Sequence, residues 1–144
     1  MREILFRGKP KNEAEYEALR ELCEDDCENG FVYGSLVVSH CKYYICGVMT
    51  IQVRSGIDNY ITTMIEVIPE TVGEYTGLKD KNGERIFEGD VVLVKSDEEP
   101  YQVAFDECCF QVYSHSVCYV MDNFYDHDIE VIGNIHDNPE MLEV

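Results

Sequence analysis

From Phe31 to its C-terminus the chain is a series of short runs rich in Val, Ile, Tyr and Phe, separated by polar turns, most of them holding Gly, Asn, Asp or Pro. β-Branched and aromatic side chains suit a pleated, half-buried surface, so this rhythm predicts antiparallel strands joined by tight turns. FVYGSLVVS (31–39) and YYICGVMTIQV (43–53) read as strands broken by Gly34 and Gly47, with a hairpin through His40 to Lys42. A turn at 55–59 leads into YITTMIEVI, which Pro69 closes because proline cannot donate to a sheet ladder. Residues 75–90 are dense in turn formers, and Asn82-Gly83 is the strongest short hairpin signal. The runs VVLVK, YQVAF, FQVYS, VCYV and IEVIGNI come next, with a polar turn at 122–128 and a loose tail, DNPEMLEV.

The N-terminal segment differs. EILFRG (3–8) reads as a short strand with Ile4 and Phe6 on one face. Residues 12–29 read as an acidic amphipathic helix, with Asn12 as N-cap and a stripe of Ala14, Ala18 and Leu22 beside Leu19. Glu24, Asp25 and Asp26 oppose the helix dipole at its end, so the helix is expected to fray towards Gly30. The fold predicted is mainly β: two interlocked small antiparallel sheets, plus this helix. Residues 1–70 form an N-terminal lobe with the helical insertion at 12–29, and residues 71–144 form a second lobe, an SH3-like barrel or bent sheet.

The chain has 144 residues, 45% of them apolar, enough to bury a sizeable core. The segment MREILFRGKP has no apolar run of signal-peptide length, and no window approaches the roughly 20 apolar residues of a membrane span. A soluble chain in the cytoplasm, without membrane contact, is expected. The formal charge is −18, and Lys95 is the last basic residue, followed by 12 acids. Nucleic-acid affinity rests on Lys and Arg displacing counterions, and the basic groupings are small: Lys9 with Lys11, and Lys79 and Lys81 with Arg85. Direct nucleic-acid binding is therefore not expected, and a basic protein partner is.

The residues that could carry chemistry do not assemble into a known pattern. Seven cysteines at 23, 27, 41, 46, 108, 109 and 118 form an odd set without the paired spacing of a structural zinc site. Cys23 and Cys27 could share a helix face, whereas His40 and Cys41, as strand neighbours, would point to opposite sides. Asp126, His127 and Asp128 read as a solvated acidic turn before a metal or acid–base site. Asp80, Asn82 and Gly83 imitate the start of a calcium loop, but Arg85 and Phe87 stand where oxygen ligands belong. Tyr43, Tyr44, Tyr113, Tyr119 and Tyr125 could stack on bases, yet lack interleaved cations. No catalytic, cofactor-binding or metal-binding residue is assigned, and no cofactor is expected.

Four blocks carry a resemblance. REILFRGK, FVYGSLV, EVIPETVGEYTGLKDKNGERIFEGDVV and EVIGNIHDNPEML, in that order, resemble the YopX family of phage- and prophage-encoded proteins. The helix at 12–29 looks like an insertion, and residues 95–128 share only a β texture with the family. The resemblance implies a two-lobed β protein with no established enzymatic activity and no site residues to transfer. Gly73, Gly77, Gly83 and Gly89 in the long block read as backbone-shaping positions. The function expected is that of a non-catalytic accessory protein acting by protein–protein contact, as a small homo-oligomer or as an acidic mimic of DNA charge. The alternative is a Cys/His- or metal-dependent hydrolase.

Overall fold

A computed structural model describes residues 3–22, 27–52, 58–95, 97–115, 117–121 and 128–143. The chain is mainly β, with antiparallel sheets and, among the described residues, one α-helix, and it divides into two compact units: Ile4–Val72, and Gly73–Val144 with Met1–Glu3.

In the first unit, β1 (Phe6–Gly8) is followed by α1 (Glu13–Leu22), β2 (Cys27–Glu28), β3 (Phe31–Ser39), β4 (Lys42–Gln52) and β5 (Asp58–Val67). The strand order is β5-β4-β3-β1, with β2 also on β3. An isolated bridge between Pro10 and Val67, with the Lys11 N–H donating to the Glu66 carbonyl at 3.0 Å, brings the end of β5 against the chain leaving β1. Its core holds Leu19, Cys27, Val32, Ile45 and Val67.

Asn12 caps α1 as expected, its Oδ1 accepting the Ala14 N–H at 2.9 Å. The helix is shorter than predicted and its buried side differs. Ala14 and Ala18 are exposed, whereas Leu19 is buried and Tyr16 packs against the core. The larger side chains at i, i+3 take the inward side because they remove more apolar area from water. The Tyr16 hydroxyl also accepts the Gly30 N–H at 3.1 Å. Cys27 begins a strand paired to Val32 and is buried, so no helix face joins it to Cys23, which lies outside the described residues.

β3 and β4 run unbroken through Gly34 and Gly47. A Cβ on Gly34 would stand 2.2 Å from the Cys46 carbonyl oxygen, so glycine lets two backbones meet there. His40 and Cys41 lie in the turn, not on a strand. Ser39 pairs with Lys42, and both intervening residues have positive φ (51° and 63°), the pattern of a type I′ hairpin. In β1, Ile4 lies outside the strand at 64% exposure and Arg7 is 5% exposed, its guanidinium 4.3 Å over the Phe31 ring. Stacking on an aromatic face offsets part of the desolvation of a buried cation.

In the second unit, β6 (Gly73–Lys79) and β7 (Arg85–Phe87) form a hairpin. β8 (Asp90–Val94), β9 (Tyr101–Asp106), β10 (Cys109–Tyr113), β11 (Cys118–Val120) and β12 (Ile129–Asn134) form a five-stranded sheet in the order β11-β10-β9-β8-β12. Among the described residues this sheet is open, so the bent-sheet form of the prediction applies and not the closed barrel. Its core includes Ile86, Val92, Tyr101, Val103, Val112, Met121 and Ile129.

The tail is not loose. Asn134 Oδ1 accepts the N–H groups of His136 (3.0 Å) and Asp137 (2.9 Å), and Asn138 Oδ1 accepts that of Asn134. A 3-10 turn at Pro139–Leu142 comes next. These short polar side chains satisfy the backbone where β12 ends, and that fixes the direction in which residues 135–143 leave the sheet.

Candidate functional site

The long central block resolves into backbone chemistry. Thr76 Oγ1 donates to the Ile86 carbonyl at 2.8 Å and accepts the Leu78 N–H at 3.2 Å, which bridges the irregularity in β6 between Tyr75 and Lys79. Asp80, 3% exposed, directs both carboxylate oxygens at main-chain donors. Oδ1 accepts from Asn82 (2.8 Å) and Glu84 (2.9 Å), and Oδ2 accepts from Val131 (3.0 Å). A cation there would compete with three N–H groups already pointing inward. Asp90 Oδ2 accepts the Phe87 N–H at 2.8 Å, and Gly77, Gly83 and Gly89 all have positive φ. The Asn82-Gly83 turn is a hairpin, but only Gly83 is left-handed, and the Asp80 N–H, donating to the Glu84 carbonyl at 2.8 Å, closes a three-residue loop.

The other sequence candidates scatter. Asp126 and His127 lie outside the described residues, and Asp128 sits 3.8 Å from Lys95 Nζ. Tyr125 and Cys23 are likewise outside. Cys41 and Cys108 occupy exposed turns, and Cys46 is half-buried on β4. Among the described residues no three His, Cys, Asp or Glu side chains are grouped to hold a metal ion. The basic groupings meet acids or rings: Lys81 lies 2.9 Å from Glu130, Arg85 3.4 Å from Glu3, Lys11 3.5 Å from Glu66, and Lys9 5.0 Å over Phe31. Tyr43 packs against the first unit's core.

What the second unit does assemble is a surface on its five-stranded sheet. Strand alternation sends Val103 and Val112 into the core and places Gln102, Tyr113 and Cys118 across from one another on the opposite face. Ala104 and Gln111 lie on that same face. Gln111 bridges two thiols: its Nε2 lies 3.4 Å from Cys109 Sγ, and its Oε1 accepts from Cys118 Sγ at 2.8 Å. A shallow concavity of about 520 Å³ runs over Ala104, Gln111, Val117 and Cys118, with Asp106 at its border.

Adjoining it, and sharing Tyr113 and Ser114, is a narrower cleft of about 260 Å³. Pro100, Tyr113, Met141 and Leu142 give it apolar walls, and Glu99 and Glu143 supply carboxylates. Both walls are held. The Asp97 carboxylate accepts the Tyr101 hydroxyl (2.5 Å) and the Glu99 N–H (3.1 Å), which orders the loop carrying Glu99 and Pro100. These bonds hold the Asp97 pKa below the usual carboxylate range. The same bond from Tyr101, reinforced by burial, pushes the Tyr101 pKa up to about 12. On the other wall, His115 Nε2 donates to the Leu142 carbonyl at 3.0 Å. Gly133 lets the 3-10 turn approach, since a Cβ there would lie 3.0 Å from Met141 Sδ. Tyr113 was legible only as an aromatic. Ser114, Met141 and Leu142 gave no signal, because the cleft forms from three separated segments.

Fold and surface together define a mainly β protein, with main-chain geometry fixed by the glycines and by Asp80 and Asp90 of the central block, and an acid-rimmed cleft on its second sheet. The chain belongs to the YopX family: residues 6–143 match the family model described as YopX protein. It is similar to the structure titled "Crystal structure of protein EF1440 from Enterococcus faecalis", at 21% identity and a TM-score of 0.60. That similarity covers 99% of this chain and 100% of the other, and it carries the fold alone. No curated protein matches the chain. No helix among the described residues is long and apolar enough to cross a membrane.

Proposed function

We propose that this YopX-family chain is a non-catalytic accessory protein, in the phage or prophage setting that the family resemblance implies. On this reading it acts by protein–protein contact, and its second unit offers carboxylates to a basic partner. The observation that carries the reading is the one-sided charge of the final third. No Lys or Arg follows Lys95, and Asp97, Glu98, Asp106, Glu107, Glu140 and Glu143 are all exposed. An anionic surface of this kind attracts partners built to grip a polyanion such as DNA, over a range of roughly 8 Å at physiological salt.

The experiment is fluorescence anisotropy of the full chain with a labelled arginine-rich peptide, at low and moderate salt. Binding is expected to weaken about tenfold or more between roughly 50 and 300 mM salt, because exposed charges are screened. Replacing Asp97→Asn, Glu98→Gln and Glu99→Gln together is expected to weaken it further at low salt. Binding indifferent to both changes, or absent at low salt, overturns the reading.

A further inference from the structure

We infer that the cleft between the Glu99–Pro100 loop and the Met141–Glu143 tail is a receptor for one cationic side chain of the partner, an arginine or lysine whose stem lies along Tyr113 and whose charged head meets Glu99 and Glu143. This rests on the basic-partner reading above and gives it an address.

The volume, about 260 Å³, suits a single long side chain and not a folded element. The chemistry follows the two-part character of such a side chain, an aliphatic stem and a charged head. Pro100, Leu142 and the ring of Tyr113, which is 38% exposed, provide a surface for the stem. Glu99 and Glu143 stand where a guanidinium or ammonium would be neutralised, and among the described residues no Lys or Arg lines the cleft to compete for them. Arginine gains an extra term, since its planar head stacks on an aromatic face and meets carboxylates two-pronged.

A separate observation marks the cleft as a place for a polar guest. Ser114 lies in its lining, and its Oγ is shielded from solvent with no hydrogen-bond partner among the described residues. A buried hydroxyl without a partner costs free energy, which a guest N–H donor would recover. The walls are also set in advance. The Tyr101–Asp97 and His115–Leu142 hydrogen bonds fix the two sides, so little ordering entropy remains to be lost on binding.

The test is an amide-resolved NMR titration of the full chain with Nα-acetyl-arginine amide, and with the citrulline analogue, which has nearly the same shape and no charge. Arginine amide is expected to shift the resonances of Ser114, His115 and Leu142 in one saturable process, and citrulline amide to bind at least about threefold more weakly. Glu143→Gln, at an exposed position, is expected to weaken arginine amide by about three- to fivefold. Tyr113→Ala is expected to remove the shifts without changing net charge. Equal binding of arginine and citrulline amides, shifts spread over acidic residues away from the cleft, or no shifts at these amides overturns the inference. Such a result alongside salt-sensitive binding of the arginine-rich peptide sinks the cleft and leaves the wider reading standing. Loss of both sinks both.

Discussion

The Asp80 carboxylate accepts the Val131 N–H at 3.0 Å across 51 residues of sequence, tying the β6–β7 turn to β12. The neighbouring Lys81 N–H donates to the Ile129 carbonyl at 2.9 Å, so the turn is bonded to the strand twice. Asp80→Ala would strand three inward-pointing N–H groups, and a loss of about 3–5 kcal/mol is expected. Asp80→Asn keeps one carbonyl acceptor but turns an NH₂ towards at least one of these donors, so a smaller loss of about 2–3 kcal/mol is expected. Urea denaturation followed by circular dichroism gives both values, and hydrogen exchange at Val131 should accelerate in each variant. Unchanged protection at Val131 would show that the carboxylate does not hold the strand.

Two glycines separate space from backbone conformation. Gly34→Ala puts a methyl 2.2 Å from the Cys46 carbonyl oxygen, at the end of the β3–β4 ladder where Gly34 also pairs with Phe6 of β1, and only strand displacement relieves that clash. A loss of at least about 2–3 kcal/mol is expected. Gly83→Ala meets nothing within 4 Å, but its φ of 81° disfavours a Cβ, so about 1 kcal/mol is expected to be lost. Gly83→Asn, which tolerates the left-handed region better, is expected to lose less. If Gly34→Ala proved as mild as Gly83→Ala, the close approach of the two backbones would be wrong.

How much of this was legible depends on how far apart the cooperating residues lie. The bodies of β3, β5, β8 and β9 and the Asn12 cap follow from local preference, which a sequence displays directly. The burial of Arg7 against Phe31 and the reach of Asp80 to Val131 each need a partner supplied by another element. Asp80 stood out as an oxygen ligand, yet its chemistry is that of a turn cap, because a carboxylate serves either role and only the surrounding N–H groups decide. The cleft was illegible for the same reason: Glu99, Tyr113 and Leu142 become neighbours only when the tail is tied back by Asn134 and His115.

Two hairpins carry residues poorly suited to their turns. His40 and Cys41 (φ 51° and 63°) and Glu107 and Cys108 (φ 48° and 65°) occupy positions where Asn-Gly is favoured, as Asn29-Gly30 shows in the β2–β3 turn. Replacing either pair by Asn-Gly is expected to raise stability by about 1 kcal/mol, with a higher thermal midpoint by circular dichroism. All four residues are exposed, so no packing is lost. A fall in the midpoint would mean that the native side chains make contacts worth more than the strain.

The Tyr101–Asp97 pair gives the fold a pH signature at both ends of the scale. Tyr101 has a folded pKa of about 12, above its unfolded value near 10, so its contribution is whole below pH 10 and fades as pH rises towards 12. Asp97 has a depressed folded pKa, so its contribution is whole above the unfolded value near 4 and fades as pH falls through the folded one. Tyr101→Phe removes the hydrogen bond while keeping the ring in the core. The difference in urea midpoint between native chain and variant is therefore expected to be largest from about pH 5 to 9 and to shrink beyond both limits. Absorbance of the native chain in alkali should also show tyrosine ionising well after the exposed ones, at Tyr101 and, through burial, at Tyr75, and the Tyr101 share of that late step should vanish in the variant. A midpoint difference that stays flat from pH 3 to 11 would mean that the hydrogen bond adds nothing to the folded state.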